Sequence, residues 1–256
     1  MQAPLPTLMV APTGARRTRK DHPQLPIHID EIVSTAKSCA SAGADGIHIH
    51  VRDKNGFHIL DVGLYNEVLK ELELATPTLT LQVTTEAVGR YTPKEQRQLV
   101  KTLKPASVSI STSEMLADEE FDVAVEFYQW CRDEDIAVQH ILYSTEDLML
   151  FETLLNSPVL ELNNPQLLYV LGRHSHNQQS SPQQLDPFMQ WLTATRLESD
   201  WAVCAFGQGE TDCLVAAHAL GGKMRVGFEN SLWNKDGTIA RDNAERVAEI
   251  RLSTRC

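Results

Sequence analysis

Two histidines one residue apart, His48 and His50, stand inside the otherwise apolar run GIHIHV at 46–51. Side chains alternate in an extended segment, so these two imidazoles share one side while Ile47, Ile49 and Val51 take the other. Burying two imidazoles is costly unless each finds a partner, and a divalent cation holding one nitrogen of each is a natural solution. A pair of hydrogen-bonded core histidines has the same spacing, so the metal reading needs a third ligand. Glu229, in RVGFEN, is the candidate: a carboxylate there has reason to face inward only if a cation or hydrogen bonds hold it. Two His and one Glu leave a position open for water or substrate, as in catalytic zinc sites. The alternative is that Glu229 caps the loop that follows. A second His-x-His pair, His174 and His176, lies in the polar stretch HSHNQQSSPQQ at 174–184 and reads as solvated loop.

Short β-rich runs alternate with amphipathic runs throughout the chain, the pattern of parallel strands with helical crossovers. The strands are read at 7–11, 46–51, 78–85, 107–111, 136–143, 167–172, 201–206 and 224–229. Between the first two, Ile29, Ile32, Val33, Ala36, Cys39 and Ala40 recur at helical spacing and Gly43 follows as a stop. Eight strands with intervening helices over residues 1–256 predict a single-domain (β/α)8 TIM barrel, with a doubly wound open sheet as the structural alternative. In a barrel, chemistry belongs at the C-terminal strand ends, which here carry PTGARR, HIHVRD, TTEAVG, SIST, LYST, GRHSH, FGQGE and FEN.

Bulk properties narrow the partners. A formal charge of -11 and a pI of about 5.3 argue against nucleic acid or an anionic membrane, and the one basic run, ARRTRK at 15–20, is too short to reverse that. The five cysteines are scattered without a C-x-x-C, which predicts reduced thiols and a cytoplasmic protein rather than a disulfide framework. No apolar run approaches the roughly 18 residues of a membrane span, and the N-terminus has no signal-peptide core.

With TGA, AGADGIHIHVRD, LYVLG and GGKMRVGFENSLWNKDGTIARDNAERV in that order, the chain resembles the β-keto acid cleavage enzymes over nearly its whole length. The resemblance implies a (β/α)8 barrel with zinc held by His48, His50 and Glu229. It implies carbon–carbon bond cleavage in which a small β-keto acid and acetyl-CoA, as co-substrate, give acetoacetate-type and acyl-CoA products. Zinc would polarise the ketone. Arg225 matches the family's arginine before the glutamate, and Thr84, with Thr85 beside it, and Ser109 match its small hydroxyl residues; these would orient carboxylate and carbonyl. A homo-oligomer is implied as well. The chain ends soon after its last barrel helix begins, so the family's C-terminal extension is expected to be missing.

Departures from the family pattern fall on the acid–base groups. Asn230 stands where the family has an aspartate beside the arginine, and Ile141 where a strand-five glutamate is usual, with His140 and Glu146 close but out of register. Glu86 adds a carboxylate after strand three and is the substitute base. Arg16 replaces a glutamate that in amino-acid-cleaving members meets the substrate amino group, which predicts preference for an anionic or polar acid over a cationic aminohexanoate. Two other functions fit the same residues: metal-assisted hydrolysis of a small ester or amide, and a degenerate homologue that binds a carboxylate through zinc and Arg225 without turnover.

Overall fold

Eight parallel strands close into a barrel: β1 (Leu8–Val10), β2 (Gly46–Ile49), β3 (Thr80–Thr84), β4 (Ser107–Ser111), β5 (Ala137–Leu142), β6 (Gln166–Leu171), β7 (Asp200–Ala205) and β8 (Lys223–Val226). Each pairs with the next, and β8 returns to β1 through the register Met9 to Arg225. The computed structural model describes residues 3–118, 120–173 and 176–254. His174, the side chain of His176, and Cys256 lie outside the described residues. Nine α-helices surround the barrel in the described residues: α1 (Ile29–Ala42), α2 (Val62–Ala75), α3 (Pro93–Leu103), the single turn α4 (Thr112–Met115), α5 (Phe121–Asp133), α6 (Thr145–Leu155), α7 (Asp186–Thr195), α8 (Glu210–Ala219) and α9 (Asn243–Ser253). The expected TIM barrel is therefore the fold, and the open-sheet alternative is excluded by closure.

Local sequence explains the crossovers. Helix α1 buries Ile32, Ala36 and Cys39 on one face and stops at Gly43, whose φ of 109° is the left-handed cap that favours glycine. Helix α3 starts at a capping box in which Thr92 accepts from Glu95 N, with Pro93 in the first turn, where its missing N–H is harmless. Ile47, Ile49 and Val51 pack outward with Ile32, Ala36 and Cys39 in the layer between barrel and helices. Leu5, Ile141, Leu168, Val170, Ala202, Cys204 and Phe206 form a separate apolar cluster, and His48 and Gln82 are buried polar residues of the strands.

Two strands end two or more residues before their apolar runs do. β2 stops at Ile49, one residue before His50, and β8 stops at Val226, three before Glu229. Gly227 breaks β8: its φ is 138°, and a Cβ there would sit 2.5 Å from Ala11 O. Asn230 N and Ser231 N both donate back to Gly227 O, closing a turn that delivers Glu229 sideways into the barrel mouth. No helix among the described residues is long and apolar enough to cross a membrane. Cys39, Cys131, Cys204 and Cys213 are buried and unpaired.

Candidate metal centre and active site

The turn carrying Glu229 is held from four directions. Glu229 N donates to Ala11 O at 3.0 Å, Phe228 N to Asn243 Oδ1 at 2.8 Å, and Gly227 N to Glu210 Oε1 at 3.3 Å. Arg17 donates to Phe228 O and, at 3.1 Å, to Asn230 O. The opposite wall is the loop after β1, which Arg52 clamps by donating to Gly14 O (Nε, 3.0 Å) and Arg17 O (3.1 Å), while it is held in its own loop by donating to Gly56 O (2.7 Å). Gly14 has a φ of 63°, and a Cβ on it would approach Glu229 Cγ to 2.7 Å, so only glycine lets the two loops close over the carboxylate.

Within this frame His48, His50 and Glu229 offer three ligand atoms that lie within 4.8 Å of one another. His48 Nε2 is 3.2 Å from His50 Nε2, and Glu229 Oε2 is 3.7 Å from the first and 3.3 Å from the second. A tetrahedral zinc with ligands at about 2.0–2.1 Å has ligand–ligand edges of about 3.3 Å, so this triangle has the size of one face of that shell. Both histidines are 1% exposed, and Glu229 Oε2 is enclosed with no hydrogen-bond partner among the described residues. A buried carboxylate oxygen left idle against two imidazole nitrogens fits a cation there.

Electrostatics act in the same sense. Burial would raise the Glu229 pKa, but the Arg225 guanidinium holds it well below the usual carboxylate range. Burial, reinforced by Arg225, holds the His48 pKa well below its ordinary value, which keeps the imidazole available as a ligand. His48 Nδ1 meets Gln82 Oε1 at 2.9 Å, and His50 Nδ1 meets His58 Nδ1 at 3.3 Å. His58 is buried, and burial pushes its pKa down to about 3.

Arg225 donates through Nη2 to Glu229 Oε1 at 3.0 Å and to Cys204 Sγ at 3.6 Å. Its Nε and Nη1 are buried with no partner among the described residues. Glu86 reaches in from the turn after β3, with Oε2 4.0 Å from His50 Nε2 and Oε1 3.3 Å from Arg173 Nη2. Arg173 follows β6 and lies over the Phe206 ring at 5.1 Å. Glu86 and Arg173 thus form an ion pair across the mouth.

The walls of the cleft include Arg16, Arg17, His48, Thr84, Glu86, Ile141, Tyr143, Arg173, Arg225 and Glu229. Arg16 sits exposed at the rim. Thr85, Ser109 and Asn230 are not among these walls. The Thr85 hydroxyl donates to Ser109 O, Ser109 Oγ has no partner, and both side-chain polar atoms of Asn230 are enclosed and unpartnered among the described residues. His140 faces away from the cleft, between the rings of Tyr128 and Phe151 at 4.9 and 4.8 Å, and Glu146 lies in the first turn of α6. Sequence reasoning missed Arg17, Arg52, His58, Gln82, Gln139 and Arg173. Of these, Arg17, Arg52 and Arg173 carried a signal, since they lie in the strand-end segments PTGARR, HIHVRD and GRHSH.

These features define a (β/α)8 barrel whose C-terminal mouth gathers a two-histidine, one-carboxylate cluster beside a buried arginine. The chain belongs to the beta-keto acid cleavage enzyme family, whose pattern it matches over residues 7–255. It is 26% identical over 243 residues to the 3-keto-5-aminohexanoate cleavage enzyme of Acetoanaerobium sticklandii, covering 93% of this chain and 87% of that one. It is 22% identical over 247 residues to the 3-oxoadipate:acetyl-CoA acetyltransferase of Cupriavidus necator, covering 95% and 86%. Among solved structures, apo ObcA superposes with a TM-score of 0.68 at 17% identity, covering 90% of this chain. This chain spans 61% of ObcA's length, and that likeness concerns the fold alone.

Proposed function

We propose that this chain is a zinc-dependent β-keto acid cleavage enzyme, which converts a β-keto acid and acetyl-CoA into acetoacetate and an acyl-CoA. Support for the reaction class comes from the family and from relatives whose names pair a keto acid with acetyl-CoA. The observation that carries the reading is the Glu229 carboxylate, one oxygen of which is held by Arg225 while the other is buried and idle within 3.7 Å of both imidazole nitrogens.

His48, His50 and Glu229 would hold the zinc, which would supply Lewis-acid polarisation of the substrate ketone. The idle Nε and Nη1 donors of Arg225 bind the substrate carboxylate, and Thr84 orients the neighbouring carbonyl. Glu86 takes the proton from the carbon between carboxylate and ketone. That carbon forms a bond to the acetyl carbonyl and CoA leaves as the thiolate. The thiolate then adds to the keto carbon, the bond between that carbon and the attacking carbon breaks to leave the new thioester, and the electron pair released onto the acetoacetate carbon takes the proton back from Glu86. Arg16, Arg17 and Arg173 make the distal part of the cleft cationic, so the preferred substrate carries a second anionic group there.

The test is incubation of the purified protein with 3-oxoadipate, with and without acetyl-CoA, followed by acetoacetate assay. Acetoacetate formation that requires acetyl-CoA is expected. Turnover of small esters or amides without CoA would select the hydrolase, and zinc binding without turnover of any β-keto acid would leave a carboxylate-binding protein.

A further inference from the structure

Two chains of hydrogen bonds run outward from the imidazole pair, and each ends on a backbone carbonyl, which can only accept. On one side His58 Nε2 lies 3.0 Å from Glu86 O, so His58 donates there and its Nδ1 is left as an acceptor. His50 Nδ1, 3.3 Å away, must then be the donor of that pair. On the other side Gln139 Nε2 donates to Leu167 O at 3.4 Å, which turns its Oε1 toward Gln82 Nε2 at 3.2 Å. The Gln82 amide is thereby oriented with Oε1 toward His48 Nδ1 at 2.9 Å, and His48 donates to it. Both relays are buried: His58 is 2%, Gln82 0% and Gln139 2% exposed.

We infer that His58, Gln82 and Gln139 are positioning residues that fix both imidazoles as the Nδ1–H tautomer, so that both Nε2 atoms face Glu229 Oε2 with bare lone pairs. A ring whose outer nitrogen is hydrogen-bonded in this way is held in one orientation and made a better ligand. The His58 relay also joins His50 to the backbone of Glu86, so the ligand and the carboxylate beside it are set by one side chain. The value of the relays to a metal rests on the zinc reading above; the tautomers themselves do not.

The experiment uses metal-depleted full-length protein labelled with 15N in histidine, read by long-range proton–nitrogen correlation. His48 and His50 are expected to show protonated Nδ1 and unprotonated Nε2, and His58 protonated Nε2. His58→Asn keeps an acceptor near the Nδ1 position and is expected to preserve the His50 tautomer, with zinc affinity within about threefold of wild type by competition with a chelating dye. His58→Ala removes the acceptor, so His50 gains the Nε2–H form and zinc affinity falls by about 10–100-fold. A protonated Nε2 on His48 or His50 in the wild type, or an Asn variant no better than Ala, would overturn the inference. If the tautomers are as stated and the wild type binds no zinc, the metal reading fails and the relays stand.

Discussion

Replacing Arg225 by lysine tests the substrate side of the site without removing its charge. The guanidinium is 4% exposed, with Nη2 committed to Glu229 Oε1 at 3.0 Å and two further donors, Nε and Nη1, unpartnered among the described residues. A stranded buried donor costs about 1–3 kcal/mol, so both have strong reason to meet a ligand. Lysine offers its three donors from one nitrogen, which cannot reach Glu229 and a substrate carboxylate from the places the guanidinium now reaches. Losing one hydrogen bond to a charged acceptor removes about 1.5–3 kcal/mol, which is about 10–150-fold in kcat/KM; losing two reaches about 10⁴-fold. The assay is acetyl-CoA-dependent acetoacetate formation from 3-oxoadipate, with zinc content measured on the same sample so that displacement of Glu229 is recognised. An Arg225→Lys variant holding full zinc with kcat/KM within threefold of wild type would refute the assignment of these donors to substrate.

Three further outcomes follow from the same structure. Gly14→Ala places a Cβ 2.7 Å from Glu229 Cγ at a φ of 63°; about 1–2 kcal/mol of stability is lost to backbone strain alone, zinc affinity falls at least about tenfold, and retained affinity would contradict the close-packing role. Arg16→Glu, at the exposed rim, lowers kcat/KM on 3-oxoadipate by about tenfold and raises it on a cationic β-keto acid, a modest change because the charge is screened; equal effects on both substrates would remove Arg16 from specificity. His140 is buried and its pKa pushed down to about 3, below an unfolded value of about 6.5. Its contribution is therefore complete above about pH 6.5 and lost as the pH falls toward 3, about 2 kcal/mol of it by pH 5. Urea unfolding of His140→Leu at pH 7 and pH 5 should show a pH-dependent loss smaller than wild type by that amount, and an unchanged difference would contradict it.

The barrel was legible because parallel strands buried on both sides read as short apolar runs, and interruptions of those runs by polar residues stand out. His48 and His50 are the clearest case, since strand alternation alone separates them from Ile47, Ile49 and Val51. Glu229 was legible as a residue but not as a geometry: its apolar context extends the run of β8, while Gly227 turns the chain through contacts with Ala11 and Glu210 that are distant in sequence. Arg17, Arg52 and Arg173 could not be placed because their partners are carbonyls or a carboxylate of other loops. His58 and Gln139 were hidden for a similar reason: His58 touches the candidate ligand His50 directly, and Gln139 touches Gln82, which touches the candidate ligand His48. Thr85 and Asn230, chosen through the family resemblance, occupy the expected segments but not the cleft walls.

The central claim is that His48, His50 and Glu229 together hold a divalent metal on which catalysis depends. Zinc titration of the metal-depleted protein by calorimetry, alongside the His48→Ala/His50→Ala and Glu229→Gln variants, addresses it most directly. One zinc per chain in the wild type, affinity reduced at least about 100-fold in the double variant and clearly weakened in Glu229→Gln, and acetyl-CoA-dependent activity that returns with the zinc, is the predicted result. Stoichiometric binding that survives in the double variant, or full activity in the zinc-free wild type, would contradict it.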